Sequence, residues 1–317
     1  MNRIVVIGAS AGGVETLRNV VAALPAGFPC GIAIALHIGA YRSEFPALLS
    51  RAGQLPASHP QQGEQIEPGH IYIAPPDHHM LVGQGRIALS RGPRENWARP
   101  AIDPLFRSAA RSYGAGAIGV ILTGGLNDGT AGLFEIKAAG GITVVQAPGD
   151  AANAEMPQSA LDHVEVDHVR PASGIASLLA NLVTEGAMPS RVESEMSSEF
   201  TLAQPVAITC PDCGGALERS ESGAFTQFTC HIGHRYSLEV MLSAQFVAME
   251  QFLGSALRSL NERGELCRLM SLRNDRDHHL WTSAQHDAIE QANILRELLA
   301  REWSIPPRSN DLGTLGA

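Results

Sequence analysis

Basic residues are scarce in this 317-residue chain, and their scarcity argues against one large class of functions. Lys and Arg number 23 against 32 Asp and Glu, which gives a formal net charge of −9. A general nucleic-acid-binding protein needs a basic face to meet phosphates. We therefore expect no nucleic acid among the partners of this protein.

Cysteine is also rare, with five residues in the chain. Cys210, Cys213 and Cys230 lie close together, whereas Cys30 and Cys267 stand alone in apolar surroundings. An odd number that includes a Cys-x-x-Cys pair does not fit a disulfide framework. The pattern favours a metal site plus two buried thiols.

The sequence lacks an uninterrupted apolar run long enough to span a bilayer. Its N-terminus also lacks the basic leader, apolar stretch and cleavage site of a secretory signal. We therefore expect a cytoplasmic protein without membrane insertion. With 44% hydrophobic and 17% charged residues, the composition is that of a globular protein.

Residues 1–185 alternate short apolar runs with helix-like segments, which predicts an α/β domain. Because the runs are apolar on both faces, we expect buried parallel strands in a doubly wound, mostly parallel sheet with helices on both faces. The predicted strands are 4–7, 31–36, 71–74, 117–122 and 142–145. The predicted helices are 13–24, 103–112 and 130–139, and residues 56–94 are interpreted as a hairpin excursion.

The rest of the chain has a different organisation. Residues 186–206 are rich in Ser and Glu and are interpreted as a linker. Residues 207–237 form a small Cys/His module, 238–303 a helical region and 304–317 a tail. Apolar residues recur at three- and four-residue steps from Leu242 to Leu260, which predicts a long helix, and a second helical stretch spans 283–303.

The segment GASAGG at 8–13 lies where the first strand should turn into the first helix. One interpretation is a phosphate-binding glycine loop. The dinucleotide pattern, however, needs a glycine where Ser10 stands, and the second strand ends in His37 instead of an acidic residue. The other interpretation is a nucleophile turn that presents Ser10, with the N–H groups of Ala11 and Gly12 facing a developing oxyanion.

Two further polar residues follow predicted strands. His37 comes directly after the second strand, and Asp128 lies in the glycine-rich turn after the strand at 117–122. Each alone has an ordinary explanation, a structural histidine and a turn or helix cap. Together with Ser10 they supply the nucleophile, the base and the acid that orients the base in a serine hydrolase.

These segments closely resemble the catalytic domain of the chemotaxis protein-glutamate methylesterases, the CheB family. The resemblance covers most of the first 185 residues in the right order, through IGASAGG, ALHIGA, YIAPPDHHMLV, AIDPLFRSAA, GVILTGGLNDGTAGL and EMPQSAL. It implies a doubly wound fold, Ser10 as nucleophile, His37 as general base and acid, and Asp128 as the residue that orients His37. The implied substrate is a glutamyl methyl ester on chemoreceptor cytoplasmic helices, with deamidation of certain glutamines as a further activity.

The sequence departs from the family pattern in three places. Ala11 stands where the family usually has Thr, and Gly125 where it usually has Met, although the N–H of Gly125 could still serve the oxyanion hole. The receiver domain common in the family is not expected, because the catalytic strand starts at residue 3, so we expect no regulation by aspartyl phosphorylation within this chain. The substrate could accordingly be another methylated protein.

The Cys/His module has the spacing of a zinc ribbon. Cys210 and Cys213 can grip one ion from a tight knuckle, and Cys230 with either His231 or His234 would complete a tetrahedron. A resemblance to C-terminal modules attached to this esterase type favours His234. Such a closed site predicts a structural zinc that supplies folding energy, and no cofactor for catalysis.

Other polar residues receive weaker interpretations. Asp77, His78 and His79 are interpreted as surface or hairpin residues and not as a metal site. Arg107 either positions a carboxylate or lies on a helix surface, and Asp103 is expected to start that helix.

Two alternatives to the esterase stay open at this point. One is a catalytically weak regulatory protein that recruits a partner through its zinc module and helices. The other is a nucleotide-binding module that uses GASAGG for phosphate.

Overall fold

The computed structural model describes residues 3–37, 43–184, 205–222, 225–273 and 278–301. The chain divides into two compact units, with the division between Val240 and Met241. The first unit contains the α/β sheet and the Cys/His module, and the second contains most of two long helices.

A seven-stranded parallel sheet forms the centre of the first unit. The strands before residue 185 are β1 (Ile4–Ala9), β2 (Gly31–Leu36), β3 (Ala57–Ser58), β4 (Ile71–Ile73), β5 (His79–Gly83), β6 (Arg86–Ser90), β7 (Ala117–Ile121), β8 (Ile142–Gln146) and β9 (His168–Arg170). The sheet has the order β3-β4-β2-β1-β7-β8-β9, and every neighbouring pair is parallel. Strands β5 and β6 form a separate antiparallel hairpin.

Helices cover both faces of this sheet, as predicted. They are α1 (Gly13–Ala22), α2 (Phe45–Ala52), α3 (Ile102–Tyr113), α4 (Thr130–Ala138), α5 (Glu155–His163) and α6 (Ala172–Thr184). Alternate residues of β1 face opposite sides: Val5 and Ile7 pack with α1, α2 and α6, whereas Ile4 and Val6 pack with α3, α4, α5 and the hairpin. The strands are apolar on both faces because both faces are buried.

The Cys/His module is a four-stranded antiparallel sheet of β10 (Pro205–Thr209), β11 (Ala216–Ser222), β12 (Phe225–Cys230) and β13 (Arg235–Ser237). Strand β10 begins at Pro205, within the segment interpreted as a linker, and residues 186–204 lie outside the described residues. The module belongs to the same compact unit as the α/β sheet. The predicted tail at 304–317 also lies outside the described residues.

Two helices follow, α7 (Leu238–Arg273) and α8 (His278–Leu299). In the second unit they form an antiparallel pair, in which Arg296 donates to Asn261 at 2.8 Å and Ala288 and Ala292 are buried. By length and composition α7 could cross a membrane, although core helices of soluble proteins pass the same test; 17% of its apolar window is buried. The apolar spacing from Leu242 to Leu260 predicted this helix, and isolated polar residues interrupt its apolar run.

Candidate active site

The carboxyl edge of the parallel sheet brings the predicted catalytic residues together. Strand β1 lies between β2 and β7, so the residues that follow these strands emerge side by side. The strand pairing continues into the turns: the N–H of Ser10 donates to Thr123 O at 2.9 Å, and that of His37 donates to Ala9 O at 3.2 Å. The chain leads from β1 to β2 on one side and from β7 to β8 on the other, so the strand order changes direction between β1 and β7, which is where open α/β sheets place their sites.

Ser10, His37 and Asp128 form one chain of hydrogen bonds. His37 Nδ1 lies 3.1 Å from Ser10 Oγ, and His37 Nε2 lies 2.7 Å from Asp128 Oδ2. An ionised carboxylate can only accept a hydrogen bond, so the arrangement assigns the imidazole proton to Nε2 and makes Nδ1 the acceptor from the Ser10 hydroxyl. The His37 side chain is 23% exposed and that of Asp128 only 3%, so the site opens to solvent on the serine side.

Asp128 is held by donors from outside its own turn. Its carboxylate accepts hydrogen bonds from the backbone N–H groups of Ile102 (2.7 Å) and Asp103 (3.3 Å), at the start of α3, and from Asn96 Nδ2 (2.9 Å). Burial acts to raise the pKa of Asp128, but the hydrogen bond and charge of His37, the Ile102 N–H and Asn96 outweigh it and hold the pKa below its ordinary value. The side chain therefore caps α3, while Gly129 precedes α4 without a side-chain cap.

Small residues allow the nucleophile turn to pack closely. Gly12 has φ +78°, a left-handed conformation that favours glycine. A Cβ on Gly124 would lie 2.1 Å from Met156 Sδ and 2.9 Å from Ser10 Cβ, so this position has no room for a side chain. Thr123 Oγ1 donates to Ala11 O at 2.9 Å and accepts from the N–H of Asn153 at 2.8 Å, which ties the turn to the next loop.

The predicted oxyanion donors are available. Among the described residues, none accepts a hydrogen bond from the N–H of Ala11, Gly12 or Gly125. The N–H of Gly13, by contrast, donates to Ser10 O at 2.8 Å. Ala11 and Gly12 are exposed at the surface, and a Cβ on Gly125 would meet only ordinary contacts at 3.5 Å.

The structure decides between the alternatives left open for the other polar residues. Arg107 is buried within α3, not on its surface, and its Nη2 lies 2.7 Å from each carboxylate oxygen of Glu95. Asp103 is the second residue of α3 and accepts from the N–H of Gly132 at 2.7 Å, so it joins α3 to α4 and does not cap its own helix.

His79 is a hairpin residue, one of the two interpretations given to it, since it begins β5. It is 4% exposed, accepts from the N–H of Ala101 at 3.2 Å through Nδ1, and lies 2.9 Å from Pro93 O through Nε2. Asp77 instead pairs with Arg99 at 2.7 Å. Asp77, His78 and His79 form no group of possible metal ligands among the described residues.

The Cys/His module brings four possible ligands together. The donor atoms of Cys210, Cys213, Cys230 and His234 lie within 4.8 Å of one another. The sulfur atoms of Cys213 and Cys230 are 3.7 Å apart, and His234 Nδ1 is 3.6 Å from Cys210 Sγ and 3.4 Å from Cys230 Sγ. A tetrahedral zinc ion would give S···S edges of about 3.8 Å and S···N edges of about 3.6 Å, so the residues fit this ion.

His231, the alternative fourth ligand, is not part of this group. Its ring packs over Gly215, where a Cβ would lie 2.2 Å from His231 Cε1. His234 therefore has the geometry of a ligand and His231 does not.

Comparison with known proteins gives consistent matches for the first part of the chain. The family model described as CheB methylesterase matches residues 5–179. A relative from Leptospira interrogans is 39% identical over 180 residues, which are 56% of this chain and 93% of that protein.

Longer relatives match over a similar segment. The protein-glutamate methylesterase/protein-glutamine glutaminase 1 of Geobacter metallireducens is 38% identical over 53% of this chain and 48% of its own length. The protein of that name from Burkholderia pseudomallei is 38% identical over 60% of this chain and 54% of its own length. This chain thus spans about half the length of these two relatives.

A solved structure shares the fold. The CheB methylesterase catalytic domain of Thermotoga maritima is 33% identical, with a TM-score of 0.56, and the match covers 58% of this chain and all of that domain. The matched segment of the family model ends before the Cys/His module begins.

Proposed function

The chain belongs to the CheB methylesterase family, and we propose that it hydrolyses glutamyl methyl esters of a protein substrate with Ser10 as the nucleophile. The observation that carries this proposal is the hydrogen-bonded chain from Ser10 through His37 to Asp128. It supplies a nucleophile, a base within reach of its proton and a buried acid that orients the base.

The first half of the reaction forms an acyl-enzyme. Ser10 Oγ attacks the carbonyl carbon of the ester while its proton passes to His37 Nδ1. The tetrahedral oxyanion is stabilised by the N–H groups of Ala11, Gly12 and Gly125. As the intermediate collapses, the C–O bond to the methoxy group breaks, and His37 Nδ1–H gives its proton to the leaving oxygen, so methanol departs.

The second half releases glutamate. A water molecule attacks the acyl carbon and loses its proton to His37 Nδ1, and the Ser10 oxygen leaves with that proton. Asp128, kept ionised by its donors, stabilises the imidazolium in both halves. A glutamine side chain would follow the same course with ammonia as the leaving group, which matches the glutaminase named in the Geobacter and Burkholderia relatives.

The substrate class follows from the family and the relatives' names. A methylated chemoreceptor, presented through its cytoplasmic helices, is the substrate we propose, and another methylated protein is the alternative. A chemoreceptor substrate would place the enzyme in the cytoplasm. A partner for α7 and α8 stays a prediction, and it is consistent with exposed apolar residues such as Phe252 and Leu266.

Methanol release from methylated receptor cytoplasmic fragments tests the proposed activity. We expect Ser10→Ala to lower the rate at least about a thousandfold, because the nucleophile is lost. The free energy of unfolding should change by no more than about 0.5 kcal/mol, since Ser10 is only half-buried and lies in a turn. Ser177→Ala, an exposed serine of α6, is the matched control.

A fluorophosphonate separates the nucleophile from the substrate. Mass spectrometry should find the adduct on Ser10 in the wild type and none in His37→Ala. Labelling without methanol release would show a working triad that acts on a different ester. Absence of labelling on folded protein would contradict the esterase and favour a regulatory role.

We also propose that Cys210, Cys213, Cys230 and His234 hold a structural zinc ion, on the basis of the spacing of their donor atoms. Four protein ligands leave no open position, so the ion would supply folding energy and no catalysis. Metal analysis should find one zinc per chain in the wild type and none in Cys213→Ser. Cys267→Ser, which removes a buried thiol in α7, should keep the metal. A wild-type chain purified without zinc, and unable to bind it, would contradict the proposal.

A further inference from the structure

We propose that the Cys/His module is a working part of the esterase site, because it holds Asn96, a positioning residue for Asp128. This inference rests on the proposed function and extends it to a region outside the matched family segment. It is carried by the loop of residues 93–98, which we name the Asn96 loop. That loop lies between the module and the catalytic acid.

The Asn96 loop runs along the open edge of β13. The backbone N–H of Asn96 donates to Arg235 O at 2.8 Å, and the N–H of Arg235 donates to Arg94 O at 3.3 Å. The N–H of Ser237 donates to Asn96 Oδ1 at 3.1 Å. The loop thus extends the module's sheet by one short segment, and the module fixes both the backbone and the side chain of Asn96.

The other end of the Asn96 side chain reaches the catalytic acid. Its Nδ2 donates to Asp128 Oδ1 at 2.9 Å and to Asp103 Oδ2 at 2.8 Å. An amide has two N–H donors on this nitrogen, and here each meets a buried carboxyl group. The side-chain oxygen of Asn96 accepts from Ser237 of the module, and its nitrogen donates to Asp128 and Asp103. The side chain of Asn96 therefore connects the module to Asp128.

The backbone of the loop is held in an unusual conformation. Asn96 has φ +48° and Trp97 has φ +66°, both in the left-handed region that costs free energy for residues other than glycine. Asn tolerates this region better than most residues. Two sets of contacts maintain this left-handed backbone: Glu95 pairs with the buried side chain of Arg107, and the loop backbone forms hydrogen bonds with β13.

The Asn96 loop also contacts the proposed metal knuckle. Trp97 Nε1 donates to Asp212 Oδ1 at 3.2 Å, and Asp212 lies between the ligands Cys210 and Cys213. The other oxygen of Asp212 accepts from Tyr236 OH at 2.8 Å. Residues next to the proposed ligands therefore touch both Asn96 and Trp97, and an intact ligand group keeps these contacts in register.

An aromatic residue anchors the module nearby. The ring of Phe225, at the start of β12, lies 5.6 Å from that of Phe134 in α4 and 5.0 Å from that of His163 in α5. Phe225 belongs to the core on the α3 side of the sheet and is 9% exposed. A substitution of Phe225 would weaken the docking of the module on α4 and α5 without changing a residue of the Asn96 loop.

Asn96 has a defined electrostatic task. The titratable groups that face Asp128 are His37 after β2, Asp103 in α3 and His79 in β5. Asn96 is the neutral donor shared by the two carboxyl groups. Without it, Asp128 loses one donor and is free to turn away from His37, so the base loses its fixed orientation.

Asn96→Gly tests the positioning role, since glycine keeps the left-handed backbone and removes only the amide. We expect the NMR resonance of the His37 Nε2–H, protected by Asp128, to broaden or disappear. Fluorophosphonate labelling of Ser10 should slow about tenfold or more, as expected for loss of a residue that orients a functional side chain. Gln84→Gly is the matched control, because Gln84 also has positive φ (+51°) but lies in the exposed β5–β6 turn.

Phe225→Ala tests the contribution of the module. It should weaken the same His37 resonance and slow labelling to a similar degree. Asn96→Gly combined with Phe225→Ala should be no slower than the slower single variant, because Phe225→Ala already loosens the contact of β13 with Asn96 that Asn96→Gly removes. Additive losses, or a wild-type resonance and labelling rate in either single variant, would overturn the inference.

The two proposals can fail separately. If the wild type does not label at all, the proposed function loses its nucleophile, while the His37 resonance still decides whether Asn96 positions Asp128. If the wild type labels and Asn96→Gly matches it, the inference fails and the esterase stands.

Discussion

The α/β sheet and the Cys/His module are stabilised in opposite ways, although they lie in one compact unit. The sheet has two extensive apolar cores, one on each face, with strand residues that are fully buried. Apart from cysteine, the buried apolar residues of the four module strands are Leu217, Phe225, Phe228 and Tyr236 among the residues the structure describes. A core that small cannot stabilise an independent fold, so the module depends on docking and, as we propose, on a metal held by its ligands.

The two regions also contribute differently to the candidate active site. The sheet supplies the proposed reacting groups from strand ends that its own core fixes. The module supplies none of the proposed reacting groups. It contacts this edge of the sheet through Asn96 and through Ser237, whose Oγ donates to Asn127 Oδ1 at 2.8 Å. A reacting group therefore needs a rigid region, whereas an orienting contact can come from a less stable one.

The largest effect expected from this comparison is on folding of the module. Cys213→Ser should remove most of the metal's contribution, which is on the order of 10 kcal/mol for structural zinc. Hydrogen exchange measured by mass spectrometry should rise throughout β10–β13 and the Asn96 loop and stay low in β1 and β7. Cys267→Ser should leave all of these segments protected. If hydrogen exchange in Cys213→Ser also rose in β1 and β7, the sheet would depend on the metal ligands as the module does, and the comparison would fail.

The second effect concerns the α/β sheet, where a substitution should disturb the nucleophile turn and leave the Cys/His module unchanged. Gly124→Ala places a Cβ 2.9 Å from Ser10 Cβ and 2.1 Å from Met156 Sδ, so the nucleophile turn has to move. We expect kcat/KM to fall about 100-fold, because misplacement of a catalytic group by about 1 Å has that cost. Zinc content should not change. Gly149→Ala is the control, because an added Cβ there has no heavy atom within 4 Å, and it should stay within about threefold of the wild type.

A smaller effect concerns the two buried carboxyl groups that Asn96 joins. Burial and the nearby charge of Asp128 raise the pKa of Asp103 well above its ordinary value. Above pH of about 4, an unfolded chain has released this proton while the folded chain keeps it, so rising pH favours unfolding.

Asp103→Asn should remove this dependence. The free energy of unfolding of the wild type, relative to the variant, should decline with pH by at most about 1.4 kcal/mol per unit. Denaturant titrations from pH 4 to pH 8 measure it. Asp128 has the opposite sign, since its lowered pKa gives stability that is lost as pH falls. A difference between wild type and variant that does not vary with pH would contradict the assignment for Asp103.

Much of the sheet could be predicted because its strands are continuous apolar runs with polar residues at their ends. That pattern gave Ser10, His37 and Asp128, which the structure brings into hydrogen-bond contact. Strands β3 and β9 have two and three residues and lie at the sheet edges, so they have no periodicity to detect.

The contacts across regions could not be predicted. Asn96 lies between β6 and α3 in a segment without regular structure, and its partners are Asp128 and Ser237, far away in the chain. The position of Arg107 was ambiguous because α3 has apolar residues on several of its sides. Their distribution does not show which side of the helix is buried. Local patterns identify strand ends, and only the folded chain shows which loop meets them.

The pairing of the Asn96 loop with β13 has a consequence for solubility. The outer edge of a β-sheet carries unpaired N–H and C=O groups, and another chain can add to it as a further strand. The loop occupies this edge through Asn96 and Arg94. Release of the module would uncover the edge together with the Phe225 ring, so a molecule that loses its docking also gains a surface for aggregation.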